Sequence, residues 1–164
     1  MVVRGGIQAT VFDVRRVVEG LRPPAIDEFG LVDAVRQLAV GLHHDGLDIR
    51  IEADPFPPLS AAAEVAIYRI VQEASTDIVR HAHATRAIID LAFAEDVVVL
   101  TISDDGSGGV ADRPDGVGLH STGERAASLG GERAVDAREG TGTVTARLPV
   151  AARATQPRAK VGAP

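Results

Sequence analysis

Hydrophobic positions recur along the chain with two different periods, which separate predicted helices from predicted strands. Apolar residues repeat every three or four positions in 30–44 and in a longer segment from Ser60, a plausible helix N-cap, to about His81. A shorter stretch of the same period, 13–21, stops at "RPP", where proline prevents a helix from continuing. Alternating polar and apolar residues predict a strand over 47–53.

The second half of the chain is richer in β-formers. The runs "RAIIDLAF" and "VVVLTISDD" meet at 94–96 and predict a hairpin. A helix is predicted over 119–130, ending on a Gly-Gly pair, and a last hairpin forms around "GTG" at 140–142. Together the elements predict an α+β fold, a two-layer α/β sandwich whose mixed or antiparallel sheet carries helices on one face.

Composition narrows the classes of function. A chain of 164 residues with a net charge of −6 is one globular domain and lacks the basic excess of a nucleic-acid binder. It contains no cysteine, which excludes disulfides, thiol catalysis and cysteine-ligated zinc. Its only lysine is Lys160, which excludes Walker-type phosphate loops and protein-kinase folds. Neither a signal peptide nor a membrane-spanning run is evident, so we expect a cytoplasmic protein without membrane contact.

The stretch "EASTDIVRHA" places charged residues along one edge of the long helix. Glu73, Asp77 and Arg80 follow one another at i, i+4 and i+7, a quarter-turn from the apolar stripe. On this helix alone, a solvated charged edge is the simpler interpretation, and a binding site is the alternative.

Three glycine-rich motifs follow in a fixed order. "ISDDGSGG" puts a carboxylate where a strand ends, "GVGLHSTGER" puts glycines near a helix N-terminus, and "GTGT" leads towards the last strand. Glycine lets the backbone approach a ligand closely, and a helix N-terminus suits phosphate. Each motif alone is also explained by an ordinary turn.

The order of these motifs resembles the GHKL ATPase superfamily. Within it, "EGLRPPAIDEFGLVDAVRQL", "YRIVQEASTDIVRHAHA", "SDDGSGG" and "GVGLHSTGERAASLGG" resemble the ATP-binding domain of bacterial two-component sensor histidine kinases. The most similar subfamily is the one that pairs with LuxR-type response regulators. The resemblance covers about 14–150 and implies a Bergerat-type fold that binds ATP and Mg²⁺ and transfers the γ-phosphoryl group to a histidine.

The resemblance also implies roles for the residues of the long helix. Glu73 corresponds to the catalytic glutamate that helps to activate the acceptor histidine or polarise water. Asp77 stands where the family usually has the asparagine that ligates Mg²⁺; a carboxylate can ligate this cation but adds negative charge beside the phosphates. Arg80 and His81 correspond to basic residues that approach the phosphates.

The glycine motifs correspond to the rest of the nucleotide site. Asp104 matches the aspartate that hydrogen-bonds the adenine amino group, and 109–115 would be a short lid. The remaining matches are the glycines beside the base, the phosphate loop and the final box whose threonine closes the adenine pocket: Gly106, Gly108, Gly116, Gly118, Leu119, Gly140, Gly142 and Thr143.

The resemblance implies that the chain is part of a larger kinase. We expect the residual end of a dimerisation helix and a linker in 1–24, the ATP-binding catalytic domain in 25–150, and a disordered tail in 151–164. No histidine precedes His43, and "HHD" at 43–45 is interpreted as a helix end rather than a phosphoacceptor.

Expected partners are the histidine-bearing dimerisation domain of a homodimeric parent and a response regulator. Two alternatives stay open: an anti-sigma-factor-type serine kinase, and a degenerate nucleotide-binding module without catalysis, which Asp77 keeps in consideration.

Overall fold

The computed structural model describes residues 21–43, 46–107, 117–138 and 141–150. Four α-helices, one π-helix and five strands follow in chain order within these residues: α1 Pro24–Phe29, α2 Leu31–His43, β1 Asp48–Ala53, α3 Ala61–Asp77, the π-helix Ile78–Ala82, β2 Arg86–Ala94, β3 Val97–Asp104, α4 Val117–Ser128, β4 Glu132–Arg138 and β5 Thr141–Pro149. Residues 13–20 of the predicted helix 13–21, His44 and the tail 151–164 lie outside the described residues.

The strands form one five-stranded sheet with the order β1-β2-β3-β5-β4. β1 runs parallel to β2, whereas the pairs β2–β3, β3–β5 and β4–β5 are antiparallel. The β2–β3 hairpin turns at Glu95 and Asp96, whose φ angles of 52° and 59° place both in the left-handed region of a tight turn. The predicted hairpins and the mixed sheet are therefore confirmed.

The core lies between one face of the sheet and the helices. The stripe predicted to face the sheet runs along α3 into the π-helix and is buried throughout: Ala63, Ile67, Val71, Ala74 and Ile78. Alternate β3 side chains meet it from the sheet: Val98, Leu100, Ile102 and Asp104. Aliphatic residues fill this core because aromatics make up only 3% of the chain. The predicted two-layer α+β class is confirmed.

The start of α3 forms as its sequence predicts. The Ser60 side chain accepts a hydrogen bond from the N–H group of Ala63 at 3.2 Å, which caps the helix. No helix in the described ranges is long and apolar enough to cross a membrane.

Three details differ from the predictions. A short helix that was not predicted, α1, begins at Pro24, where a missing N–H group costs nothing, and ends at Phe29 with Gly30 as its C-cap. Gly118 is the second residue of α4 rather than a residue before it, because the helix begins at Val117. Gly142 lies within β5 rather than before a strand, because the backbone there already pairs with β3 on one side and β4 on the other.

Candidate functional site

Asp104 is the charged residue that the fold buries at the end of β3. Its side chain lies on the inner face with Leu100 and Ile102, and the residue is 7% exposed. The carboxylate Oδ1 accepts a hydrogen bond from the N–H group of Gly106 at 2.9 Å. Burial raises the pKa of Asp104 above its ordinary value, and the hydrogen bond from Gly106 partly opposes this shift. A buried acceptor of this kind suits a ligand that donates a hydrogen bond.

Two glycines surround Asp104, and neither position leaves room for a side chain. A Cβ atom on Gly142, which pairs with Asp104 across β3 and β5, would lie 2.6 Å from Asp104 Oδ2. A Cβ atom on Gly106 would lie 2.3 Å from the carbonyl oxygen of Ala82, at the end of the π-helix. The absence of a side chain at Gly142 leaves room for the carboxylate of Asp104, and its absence at Gly106 lets the end of β3 approach the π-helix.

Asp105 joins the end of β3 to the segment that follows the π-helix, a role that the sequence did not reveal. Its Oδ1 accepts hydrogen bonds from the backbone N–H groups of Thr85 and Arg86, both at 2.8 Å. Its Oδ2 accepts from Thr85 Oγ1 at 3.1 Å and Arg86 Nε at 3.3 Å. The backbone bond from Arg86, then that from Thr85, lowers the pKa of Asp105 to about 2. The sequence signal that separates Asp105 from Asp104 is strand alternation, because consecutive strand residues turn their side chains to opposite faces.

The charged edge of the long helix spans a change in helix type. Glu73 and Asp77 are half-buried on α3, whereas Arg80 and His81 are exposed on the π-helix. The close approach of Ala82 to Gly106 joins this segment to the turn after Asp104. The fold thus brings the first two predicted motifs together, and π-helical turns within helices are frequent at functional sites.

Arg125 of α4 lies beside the predicted catalytic carboxylate. Its Nη2 atom is 3.8 Å from Glu73 Oε1, and the two side chains are 20% and 28% exposed. The sequence gave no spacing that links these two residues, because the contact depends on α4 lying against α3. The charged edge is therefore shared by two helices.

Thr143 is the strand residue next to the glycine that pairs with Asp104. It pairs with Ser103, so its side chain leaves the sheet on the face opposite Gly142. The role that the resemblance implies for Thr143, closing the adenine pocket, stays a prediction. The side chain of Leu119 and all of Gly108, Gly116 and Gly140 lie outside the described residues.

The donor set limits the kind of metal site. Within the described ranges, no group of three or more His, Asp or Glu side chains is arranged to hold a metal ion. Mg²⁺ is commonly held by one or two carboxylates, with phosphate and water oxygens completing its shell. The single carboxylate of Asp77 could hold Mg²⁺ in this way, together with phosphate and water oxygens. The buried carboxylate of Asp104, between two glycines, suits the amine of a purine.

No protein-family model matches the chain. It is 31% identical to the sensor histidine kinase MctS of Rhizobium johnstonii over 89% of this chain and 33% of that protein. It is 33% identical to the histidine-protein kinase/phosphatase UhpB of Salmonella typhimurium over 85% of this chain and 29% of that protein. The chain thus spans about a third of the length of these relatives.

Solved structures share the fold. The histidine kinase domain of the Erythrobacter litoralis blue-light-activated kinase superimposes with a TM-score of 0.62 at 20% identity, covering 73% of this chain and 61% of that one. Full-length ShkA in complex with AMPPNP gives a TM-score of 0.61 at 21% identity, covering 76% of this chain and 30% of that one. These similarities confirm the predicted fold, and the sequence relatives support the predicted histidine kinase class.

Proposed function

We propose that the chain is the ATP-binding catalytic domain of a sensor histidine kinase. In the proposed reaction, the γ-phosphoryl group of ATP moves to a histidine on a dimerisation domain: the bond from phosphorus to the bridging oxygen breaks, a phosphorus–nitrogen bond forms, and ADP leaves. The observation that carries the proposal is Asp104, a buried carboxylate between two glycines in a fold shared with histidine kinase domains.

Asp104 has the chemistry of an adenine reader. In its ionised form the carboxylate can only accept hydrogen bonds, and one oxygen already accepts the N–H group of Gly106. The exocyclic amine of adenine donates a hydrogen bond, whereas guanine presents a carbonyl acceptor at that position. A buried acceptor that faces another acceptor is strongly unfavourable, so the proposal requires that ATP binds much more tightly than GTP.

The phosphates are proposed to lie near the end of α3 and the π-helix. Asp77 would hold Mg²⁺, and Arg80 and His81 would approach the phosphates. When bound, Mg²⁺ neutralises charge on the phosphates. The resemblance adds the phosphate loop and the final glycine box to this site: Gly108, Gly116, Gly118, Leu119 and Gly140.

Glu73 is the proposed catalytic residue. Its role is to accept a hydrogen bond from the imidazole of the acceptor histidine and so orient the attacking nitrogen, which is general-base assistance. Arg125, at 3.8 Å, would hold the Glu73 carboxylate in place without contacting the substrate. Glu73 therefore affects transfer more than nucleotide binding.

The partners in this proposal follow from the sequence resemblance and from the class of the relatives. They are the dimerisation domain of a homodimeric parent kinase and a LuxR-type response regulator, both in the cytoplasm, where ATP is the phosphoryl donor. No feature of the described residues favours an anti-sigma-factor kinase.

Nucleotide titration by calorimetry tests the first half of the proposal. Mg-ATP and Mg-ADP should bind the wild type, GTP should bind much more weakly, and Asp104→Asn should lose nucleotide binding while keeping its fold. Asp90→Asn is the matched control, because Asp90 pairs with Thr101 on the opposite face of the same sheet. Equal affinities for ATP and GTP would contradict the assignment of Asp104.

Phosphotransfer tests the second half. Radiolabelled ATP should label the histidine of a dimerisation domain supplied in trans, and the chain alone should not acquire label. If the folded domain binds ATP but never labels a cognate dimerisation domain, the alternative of a nucleotide-binding module without catalysis is the correct one. Acid-labile label that forms on the chain alone and persists in His44→Ala would contradict the proposal that the phosphoacceptor histidine lies on a separate domain.

A further inference from the structure

The two residues Leu21 and Arg22, which we call the entry segment, are fastened to the first half of α3. Arg22 donates through Nη2 to Glu64 Oε2 at 2.6 Å, and through Nε to Asp27 of α1. The backbone of Leu21 is held as well, because its carbonyl oxygen accepts a long hydrogen bond of 3.5 Å from Arg69 Nη2. Two side chains of α3 therefore hold two successive residues of the chain that enters the domain.

The contact between Arg22 and Glu64 is shielded from water more than an ordinary surface ion pair. The two side chains are 31% and 21% exposed, whereas those of Arg36 and Asp33, an ion pair on α2, are 57% and 60% exposed. Water and salt screen an ion pair less when its groups are partly buried. A guanidinium group that donates to two carboxylates is also held in one orientation, because its donors are fixed in a plane.

Helix α3 joins the entry segment to the residues proposed for catalysis. Glu64 and Arg69 lie on its first half, and the second half carries Glu73. Glu73 follows nine positions after Glu64, which is about 13.5 Å along the axis. From Ala61 to Asp77 the helix contains neither proline nor glycine, the usual causes of a kink. The entry segment and Glu73 are therefore attached to one rigid element.

We propose that Arg22 is a positioning residue for phosphotransfer, because it fixes the direction in which the chain enters the domain relative to Glu73. This inference rests on the proposed function, in which the acceptor histidine lies on a dimerisation domain joined to this one through the entry segment. A misplacement of about 1 Å can lower the rate of a reaction about a hundredfold. The Arg22–Glu64 contact is thus a point at which the joined domain regulates transfer without touching the nucleotide.

Spin labels test the fastening on this chain alone. The chain contains no cysteine, so Leu21→Cys and Ile88→Cys give two unique labels at residues that are 60% and 43% exposed. Pulsed electron paramagnetic resonance should give one narrow distance in this background. With Arg22→Gln the distribution should be about twice as wide or wider, because the entry segment opens locally. Arg36→Gln is the matched control, because it breaks a surface ion pair and should leave the distribution narrow.

Phosphotransfer tests the positioning role. In the parent kinase, Arg22→Gln should lower the rate of histidine labelling about tenfold and leave the Kd for Mg-ADP within about twofold of the wild-type value. Transfer from the separate chain to a dimerisation domain supplied in trans should not change, because the entry segment does not join the two proteins there. Glu64→Gln should act in the same way, and the double variant should lose no more than either single variant.

The results separate this inference from the proposed function. A wild-type parent that never labels its histidine overturns the proposed function, and with it the positioning role. If the wild type labels and the Arg22→Gln parent labels as fast, the positioning role alone is wrong. An unchanged distance distribution, or equal losses of transfer in the parent and in trans, also overturns it. Should Arg22→Gln fail to fold, Arg22→Lys, which keeps the charge but has a single donor nitrogen, replaces it with the same expectations.

Discussion

Gly106→Ala should damage both the stability of the domain and its nucleotide site. The added Cβ atom would lie 2.3 Å from the carbonyl oxygen of Ala82 and 2.8 Å from its carbonyl carbon, whereas ordinary contact begins at 3.4 Å. The obstacle is backbone, so no side-chain rotation can relieve the overlap. The four hydrogen bonds that Asp105 makes to Thr85 and Arg86 also hold the two segments together.

The expected magnitude follows from these contacts. Overpacking against a fixed backbone costs about 1–3 kcal/mol. Weakening the hydrogen bond from the Gly106 N–H group to the Asp104 carboxylate adds about 1–2 kcal/mol, because the acceptor is buried. A total of about 3 kcal/mol corresponds to a melting temperature lower by about 6–12 °C for a domain of this size. The affinity for ADP should fall at least about tenfold at a temperature where the variant is still folded.

The assay combines urea denaturation with calorimetric titration of Mg-ADP at 15 °C. The matched control is Gly41→Ala, because a Cβ atom at that position in α2 meets nothing within 4 Å. The control should be as stable as the wild type or more stable by up to about 1 kcal/mol, since alanine favours helix. If Gly106→Ala unfolds and binds ADP as the control does, the contact between β3 and the π-helix is not what holds this site.

Three further predictions concern the charged residues of the site. Asp77→Asn should strengthen ATP binding measured with a chelator, because the carboxylate no longer faces phosphate, and it should not reduce the rate of phosphotransfer. If the variant binds ATP as the wild type does both with and without Mg²⁺, Asp77 lies away from the metal. Glu73→Ala should leave the Kd for ATP nearly intact and lower the rate of phosphotransfer, so equal losses in both would exclude a role in the transition state. Because hydrogen bonds lower the pKa of Asp105 to about 2, its stabilising effect should be complete above the ordinary value of 3.8 and lost as the pH falls from there towards 2. Denaturation curves at stepwise lower pH should show this loss in the wild type and a smaller one in Asp105→Ala, and parallel curves would refute it.

The elements that depend on local pattern were predictable from the sequence. The stripe from Ala63 to Ile78 repeats with helical period, and Ser60 supplies a cap. Both signals lie in the sequence of the helix itself. The sheet hairpins were predictable for the same reason. The order of the motifs gave the histidine kinase resemblance, and the fold shared with solved structures confirms its architecture.

The features that depend on strand register or on distant contacts were not predictable. The face to which Thr143 turns depends on the register of β5, which begins at Thr141, because a shift of one residue moves a side chain to the other face. The contact of Arg125 with Glu73 requires α4 to lie on α3, which no local pattern specifies. The role of Asp105 depends on the register of β2 against β3, which brings the backbone N–H groups of Thr85 and Arg86 to its carboxylate.

The packing of α4 against α3 has a thermodynamic consequence. Arg125 of α4 lies 3.8 Å from Glu73 of α3, so the charged edge is complete only while the two helices stay together. A ligand that binds more tightly to this arrangement favours it, and because linkage is reciprocal, the packing favours the ligand by the same factor. The ratio of the Kd values of Arg125→Ala and the wild type for Mg-ADP measures that factor.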